Sequence, residues 1–156
     1  KALSLYSLIE ANVNTMQQRL EDLEQKFQTK LEVTEADFLH YKLRIEGDLA
    51  RSYALRCQDS DDFGNAVNWW LTAASLYSQI ESLDLFPLAV KSTKSNLEKI
   101  VVGDSFSIKK LVERLSDNTY QIEQIRKKHP AEAIMLTKIL EEKSALPELK
   151  SSLTTN

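Results

Sequence analysis

Residues 41–54 read YKLRIEGDLARSYA, and their apolar side chains recur once per helical turn. Tyr41, Ile45, Leu49 and Tyr53 are each four positions apart, which places them on one face of an α-helix. The same stretch carries charged residues between these positions, as an amphipathic helix at a domain surface does. The segment therefore predicts a helix that packs on one side and meets solvent or a ligand on the other.

The bounds of this helix, and a second helix before it, follow from the flanking sequence. Thr34 with Asp37 three residues later resembles a capping box, and the polar run after Cys57 ends the helix. Upstream, apolar residues spaced alternately three and four apart predict a helix from about Ala2 to Leu31. Such a stripe needs a helical partner, either the next helix of the same domain or a second chain in a coiled coil. Its members are Tyr6, Ile9, Val13, Met16, Leu20, Leu23 and Phe27.

The rest of the chain continues the helical pattern, with only three glycines and three prolines to interrupt it. The further predicted helices run from a cap at Asp62, Gly64 or Asn65 to Ile80, from Pro87 to about Val102, from Ser105 to Lys128, and from Ala131 to Lys143. We expect a break over Asp84 to Phe86, a stop at Gly103, an interruption near Ser116 to Asn118, and a tail over residues 144–156. The fold class is all-α: a single domain, residues 1–156, forming an antiparallel bundle of about six helices with tetratricopeptide-like helix pairs.

The composition limits the classes of partner. Lys+Arg 20 against Asp+Glu 23 gives a net charge of −3, and the basic residues are dispersed, which argues against nucleic acid as a ligand. No apolar run is long enough to span a bilayer, so we expect no membrane contact. The lone Cys57 rules out an internal disulfide, and we expect a cytoplasmic protein. Because the chain opens on Lys1 with no Met or leader, we also expect further sequence upstream.

Catalytic and metal chemistry find little support in these residues. The chain has no glycine-rich phosphate loop, no HExxH and no paired CxxC, so we predict no enzyme activity, no cofactor and no metal. The acidic cluster of Asp59, Asp61 and Asp62 lacks the spaced ligands of a calcium loop and is better explained as helix capping. Cys57 lies at a helix end, where no helix dipole lowers the pKa of a thiol.

Two arginines supply the candidate binding site. Arg44 and Arg51 are seven residues apart and so lie about 20° from each other around the helix axis. Asp48 lies one turn from each and could hold both guanidinium groups, while Gly47 and Ala50 would lower the surface for an approaching ligand backbone. Arginine forks match the oxygens of a phosphate ester. The alternative is a solvated helix face with local Arg–Asp pairs.

The helix over residues 41–54 resembles the best-preserved helix of the 14-3-3 family. That family has, in order, an aromatic residue, Leu, a basic residue, Met or Ile, any residue, Gly, Asp, two residues, Arg, two residues and Ala. Here the pattern is met by Tyr41, Leu43, Arg44, Ile45, Gly47, Asp48, Arg51 and Ala54. The agreement extends over about Phe38 to Asn96, with LEQKF (residues 23–27) similar to the end of the preceding family helix. The resemblance implies a 14-3-3-like fold of which this chain is the C-terminal two-thirds.

The resemblance also assigns roles to individual residues. Arg51 corresponds to the arginine that grips phosphate, Arg44 to a basic residue near the same groove, and Asn96 to the asparagine that binds the ligand's extended backbone. Ile134 and Met135 correspond to the apolar wall supplied by the last helix, with Ile139 as a further candidate. Ser52 stands where the family has a phosphate-binding tyrosine. The first three family helices, which carry a lysine, a second arginine and the dimer interface, have no counterpart in this sequence.

From this resemblance we predict a signalling adaptor that binds phosphoserine or phosphothreonine segments of other proteins and forms homodimers through upstream helices. The alternative is a tetratricopeptide-like or coiled-coil-assisted scaffold that binds a partner helix in an apolar groove, independently of phosphate. We also predict that Trp69 and Trp70 belong to the core, since aromatic faces of helices are usually buried.

Overall fold

A computed structural model describes residues 2–28, 35–80, 82–101 and 103–144, with side chains from residue 10 and excluding residues 27 and 28. Within these ranges the chain forms helices and no strand, which confirms the all-α prediction. The helices are α1 (Ala2–Gln28), α2 (Glu35–Asp59), α3 (Phe63–Ser78), α4 (Leu85–Lys99), α5 (Ser105–Glu113), α6 (Leu115–Arg126) and α7 (Pro130–Ser144).

Helix α3 is the centre of the packing. It contacts α2, α4, α5 and α6, while α1 packs on α2 and α7 packs on α4 and α6. The reason is the composition of α3, whose alanines and other small residues let neighbouring helices approach closely on several sides. Ala66, Ala73, Ala74 and Tyr77 have no exposed surface. The partner that the apolar stripe of α1 required is therefore supplied, among the described residues, by α2 of the same chain.

Of the two adjacent tryptophans, only Trp70 belongs fully to this core. It is 2% exposed, and its indole nitrogen donates a hydrogen bond to Gln58 on α2. Trp69 points outward and is 37% exposed, so the prediction that both belong to the core was wrong for this residue. Its ring packs against Tyr53 of α2 in a tilted arrangement, with centroids 4.7 Å apart.

The predicted fifth helix is two helices in the structure, which raises the number of described helices to seven. The chain breaks at Arg114, two residues before the predicted interruption, where φ is −105° and ψ is 12°. After the break, Asn118 is buried and donates a hydrogen bond to Asn68 of α3. Burial of a polar side chain with a partner 50 residues away is a tertiary effect that local spacing does not encode.

Helix α4 begins earlier and ends earlier than predicted. It starts at Leu85, because Phe86 is buried and stacks on His129 at a centroid distance of 4.0 Å. Pro87 still falls in the first turn, where a missing N–H removes no helical hydrogen bond. The helix ends at Lys99, and Gly103, with φ of +100°, lies four residues further on rather than acting as its stop.

Other predicted boundaries concern the cap of α3, the end of α7 and the two ends of the chain. Asp62 caps α3 by accepting a hydrogen bond from the Asn65 backbone N–H, as predicted. Ser144 is the last residue of α7 rather than the first of the tail. The predicted end of the first helix at Leu31, the Thr34 cap and residues 145–156 lie outside the described residues. No helix in the described ranges is both long and apolar enough to cross a membrane.

Candidate functional site

A pocket of about 240 Å³ lies between α1 and α2 and contains both predicted arginines. Helix α2 supplies residues three or four positions apart, so they share one face of the helix. Helix α1 closes the other side. We call this the α1–α2 pocket, and its lining residues are Asn12, Met16, Arg44, Asp48, Arg51, Ser52 and Leu55.

Asp48 is the hub of the hydrogen bonds around this pocket. Its Oδ1 accepts from the Tyr77 hydroxyl at 2.6 Å, and its Oδ2 accepts from Arg44 Nε at 3.4 Å. Burial, together with the hydrogen bond to Asp48 and its negative charge, raises the pKa of the Tyr77 hydroxyl, so this group stays protonated as a donor. The charge of Asp48 is thus satisfied from α3 and from its own helix. The predicted pairing of Asp48 with Arg44 is present.

Arg51 has a different environment. Its Nε is buried and has no hydrogen-bond partner, and no carboxylate among the described residues forms an ion pair with it. Its positive charge still reaches the Asp48–Tyr77 pair, since Arg51 and Arg44 both act to lower the Tyr77 pKa against the larger opposing effects. Asp48 therefore holds Arg44 and not Arg51. The pocket contains two guanidinium groups and one carboxylate, a local charge of about +1.

The hydroxyl of Ser52 is already hydrogen-bonded within the protein. Its hydroxyl donates to the backbone oxygen of Asp48 at 3.0 Å and accepts from the Asn12 side chain at 3.4 Å. Ser52 is buried, so its hydroxyl is poorly placed to replace the tyrosine of the family pattern. Asn12, which is exposed and belongs to α1, is the additional polar group on this side of the pocket. Asn12 could not be assigned to this site from local spacing, because it lies 40 residues from Ser52.

Gly47 and Ala50 of α2 are packed in the core and do not open the α1–α2 pocket. A Cβ atom at Gly47 would lie 2.6 Å from Cε1 of Tyr77, so glycine makes room for that ring. Ala50 is buried in the core cluster. The expectation that Gly47 and Ala50 lower the surface for a ligand backbone was wrong, because Gly47 makes room for the Tyr77 ring and Ala50 is buried in the core.

The structure does not bring the other predicted site residues into this pocket. Asn96 is 1% exposed, and its amide nitrogen donates to Gln58 Oε1 at 2.9 Å and to the Ser92 backbone oxygen at 2.8 Å. Ile134 is exposed on α7, and Met135 is half-buried against the core. Of the six predicted site residues, Arg44, Arg51 and Ser52 lie together. Asn96, Ile134 and Met135 lie elsewhere in the fold.

The described residues contain no group of three or more His, Cys, Asp or Glu side chains that could hold a metal ion. Desolvation, followed by the negative charge of Asp62, raises the pKa of the Cys57 thiol to about 11. This thiol is therefore protonated and weakly nucleophilic at neutral pH.

No protein-family model, curated protein or solved structure matches this chain. The resemblance to 14-3-3 proteins therefore rests on the residues of this sequence alone.

Proposed function

We propose that this protein is an adaptor that binds phosphoserine or phosphothreonine segments of partner proteins, with the phosphate in the α1–α2 pocket. The observation that carries the proposal is Arg51, an arginine with a buried Nε and no carboxylate partner in the described part of the chain. A buried donor on a charged group is costly to leave unsatisfied, and a bound phosphate would supply the missing acceptor.

The rest of the pocket supports an anionic ligand. Asp48 would repel a phosphate, but Tyr77 and Arg44 already bind its two oxygens. The net positive charge then favours an anion, and the Asn12 amide adds a neutral donor from the opposite helix. In this proposal Arg51 is the main phosphate ligand and Arg44 adds to the attraction of the anion. The Asn96, Ile134 and Met135 contacts and the homodimer remain predictions of the family resemblance, and the cytoplasmic location remains a prediction from the lone Cys57.

The experiment measures fluorescence anisotropy of a labelled, extended peptide library in phosphoserine and unphosphorylated forms. We expect selective binding of the phosphorylated library, and about thirtyfold weaker binding to Arg51→Glu, since a charge-assisted contact to phosphate is lost and replaced by repulsion. Arg51→Lys keeps the charge without the planar fork and should fall between the two.

Lys109→Glu is the matched control, because it makes the same charge change on an exposed residue of α5. It should bind the phosphorylated library as the unmodified protein does. Equal binding of both libraries by the unmodified protein would rule out phosphate recognition.

A groove in the α4–α7 region supports a second candidate function, that of a phosphate-independent scaffold. A groove of about 370 Å³ is lined there by apolar Leu83, Phe86, Pro87 and Val90. An amphipathic partner helix buries its apolar face in grooves of this kind. If this is the working surface, unphosphorylated helical peptides bind, and they bind Arg51→Glu equally well.

A further inference from the structure

Two rows of side chains, one on α3 and one on α6, face each other and are polar, although a helix–helix interface is normally apolar. On α3 the row contains Asn65, Asn68 and Thr72, and on α6 it contains Asn118 and Gln121. The residues of each row are three or four positions apart, the spacing that usually carries a packing stripe. Here they enclose an open cleft of about 210 Å³, which we call the α3–α6 cleft. It shares no lining residue with the α1–α2 pocket.

The charges at the cleft cancel. Its cation and its carboxylate, Arg114 and Asp117, pair with each other at 3.1 Å, and both are exposed. The remaining polar groups are carboxamides, hydroxyls and the indole N–H of Trp69. The cleft therefore lacks the excess positive charge of the α1–α2 pocket, and a neutral ligand suits it better than a phosphate or a carboxylate.

The polar groups of the cleft are ordered and partly unused. Asn118 is 2% exposed and donates to Asn68 Oδ1 at 2.9 Å, which fixes the floor. The Thr72 hydroxyl donates to the Asn68 backbone oxygen and keeps its lone pairs. The half-buried Gln121 carboxamide lines the cleft with a donor and an acceptor that no hydrogen bond within the described residues occupies.

Two aromatic rings stand at the rim. Trp69 is partly exposed, and its ring packs against Tyr53 of α2, which supports the indole from one side. Tyr120 of α6 is exposed and also lines the cleft. A supported indole face offers apolar contact area at low entropic cost, which favours a ligand with a flat apolar face.

We propose that the α3–α6 cleft binds one neutral sugar ring. A pyranose has C–H groups on one face that can stack on Trp69, and hydroxyls that both donate to and accept from the carboxamides. An N-acetylated hexosamine fits best, because its acetamide can pair with the Gln121 carboxamide. The volume lies below the roughly 300–1,000 Å³ of sites for drug-sized ligands, so the cleft accommodates a single ring.

The test is a titration of the protein with N-acetylglucosamine, followed by tryptophan emission. Trp70 is buried, so a ligand-dependent change reports on Trp69. We expect saturation with a Kd on the order of 1 mM, the range for a ligand of this size. Trp69→Ala removes the fluorescent reporter, so binding of the sugar to this variant is measured by calorimetry. We expect about tenfold weaker binding for Trp69→Ala and for Gln121→Ala. Gln124→Ala, on the same helix but outside the cleft, should leave the Kd unchanged.

Further ligands test whether the cleft prefers a sugar to other neutral molecules, and whether it binds the sugar free or attached to a peptide. Glycerol at the same concentration should leave the emission unchanged, and the sugar linked to a seryl peptide should bind at least as well as the free sugar if the natural ligand is a modified protein. No saturation by about 20 mM sugar, or tighter binding of adenosine than of any sugar, would overturn the proposal. Both results are independent of phosphopeptide binding, which uses other residues.

Discussion

Trp70→Ala is expected to lower the free energy of unfolding by about 4 kcal/mol, the scale for removing a buried aromatic ring from a packed core. The ring is 2% exposed and lies in the core cluster on α3, the helix with the most neighbours. The substitution also removes the hydrogen bond that Gln58 accepts from the indole at 3.3 Å. The measurement is urea unfolding followed by far-ultraviolet circular dichroism.

The neighbouring residue provides the matched control. Trp69→Ala makes the same chemical change one position away, but that ring is partly exposed and loses mainly its contact with Tyr53, so we expect about 1 kcal/mol. Trp70→Phe keeps one aromatic ring but loses the indole donor and part of the buried volume, and it should fall between the two. Equal effects of the two alanine variants would contradict the different burial of the two rings.

Gly47→Val is expected to destabilise the protein by about 3 kcal/mol, at the upper end of overpacking effects. A Cβ at this position would lie 2.6 Å and 2.9 Å from two atoms of the Tyr77 ring. That ring has no exposed surface, and its hydroxyl is bound to Asp48, so it cannot move aside without losing contacts. The gain in helix propensity over glycine is well below 1 kcal/mol and does not offset the clash.

A double-mutant cycle identifies the cause of this effect. If the clash with Tyr77 is responsible, Gly47→Val costs much less in a Tyr77→Ala background, where the ring is absent. Glu46→Val introduces the same side chain at the adjacent, half-exposed position and should change stability by less than about 1 kcal/mol. A cost that is the same in both backgrounds would place the strain elsewhere.

The sequence predicted the helices well, because apolar residues at helical spacing are a local signal. It predicted their ends less well where a distant contact decides them. Phe86 extends α4 towards His129, and Asn118 is buried beyond the break at Arg114 because Asn68 accepts its hydrogen bond. Neither partner is close enough in sequence to be read from periodicity.

In the candidate site, too, local spacing identified some residues and distant contacts decided the others. Arg44 and Arg51 were found because both lie on one helix seven residues apart, and the structure places both in one pocket. Asn12 and Tyr77 were not assigned to the site, since they contact α2 across 40 and 29 residues. The polar rows of α3 and α6 were missed as well. Polar residues at helical spacing normally indicate a solvated face, so the sequence holds no sign that two such faces meet.

The side chain of Gln58 joins three helices through one oxygen atom. Its Oε1 accepts from Trp70 of α3 at 3.3 Å and from Asn96 of α4 at 2.9 Å, while its own backbone belongs to α2. Separating any one of these helices would leave a buried donor without an acceptor. The other two helices supply no replacement for the lost hydrogen bond. Local fluctuations should therefore open α2, α3 and α4 together. Their most protected amide protons would exchange with solvent as a single cooperative unit, while α1 and α7 can exchange through smaller, separate openings.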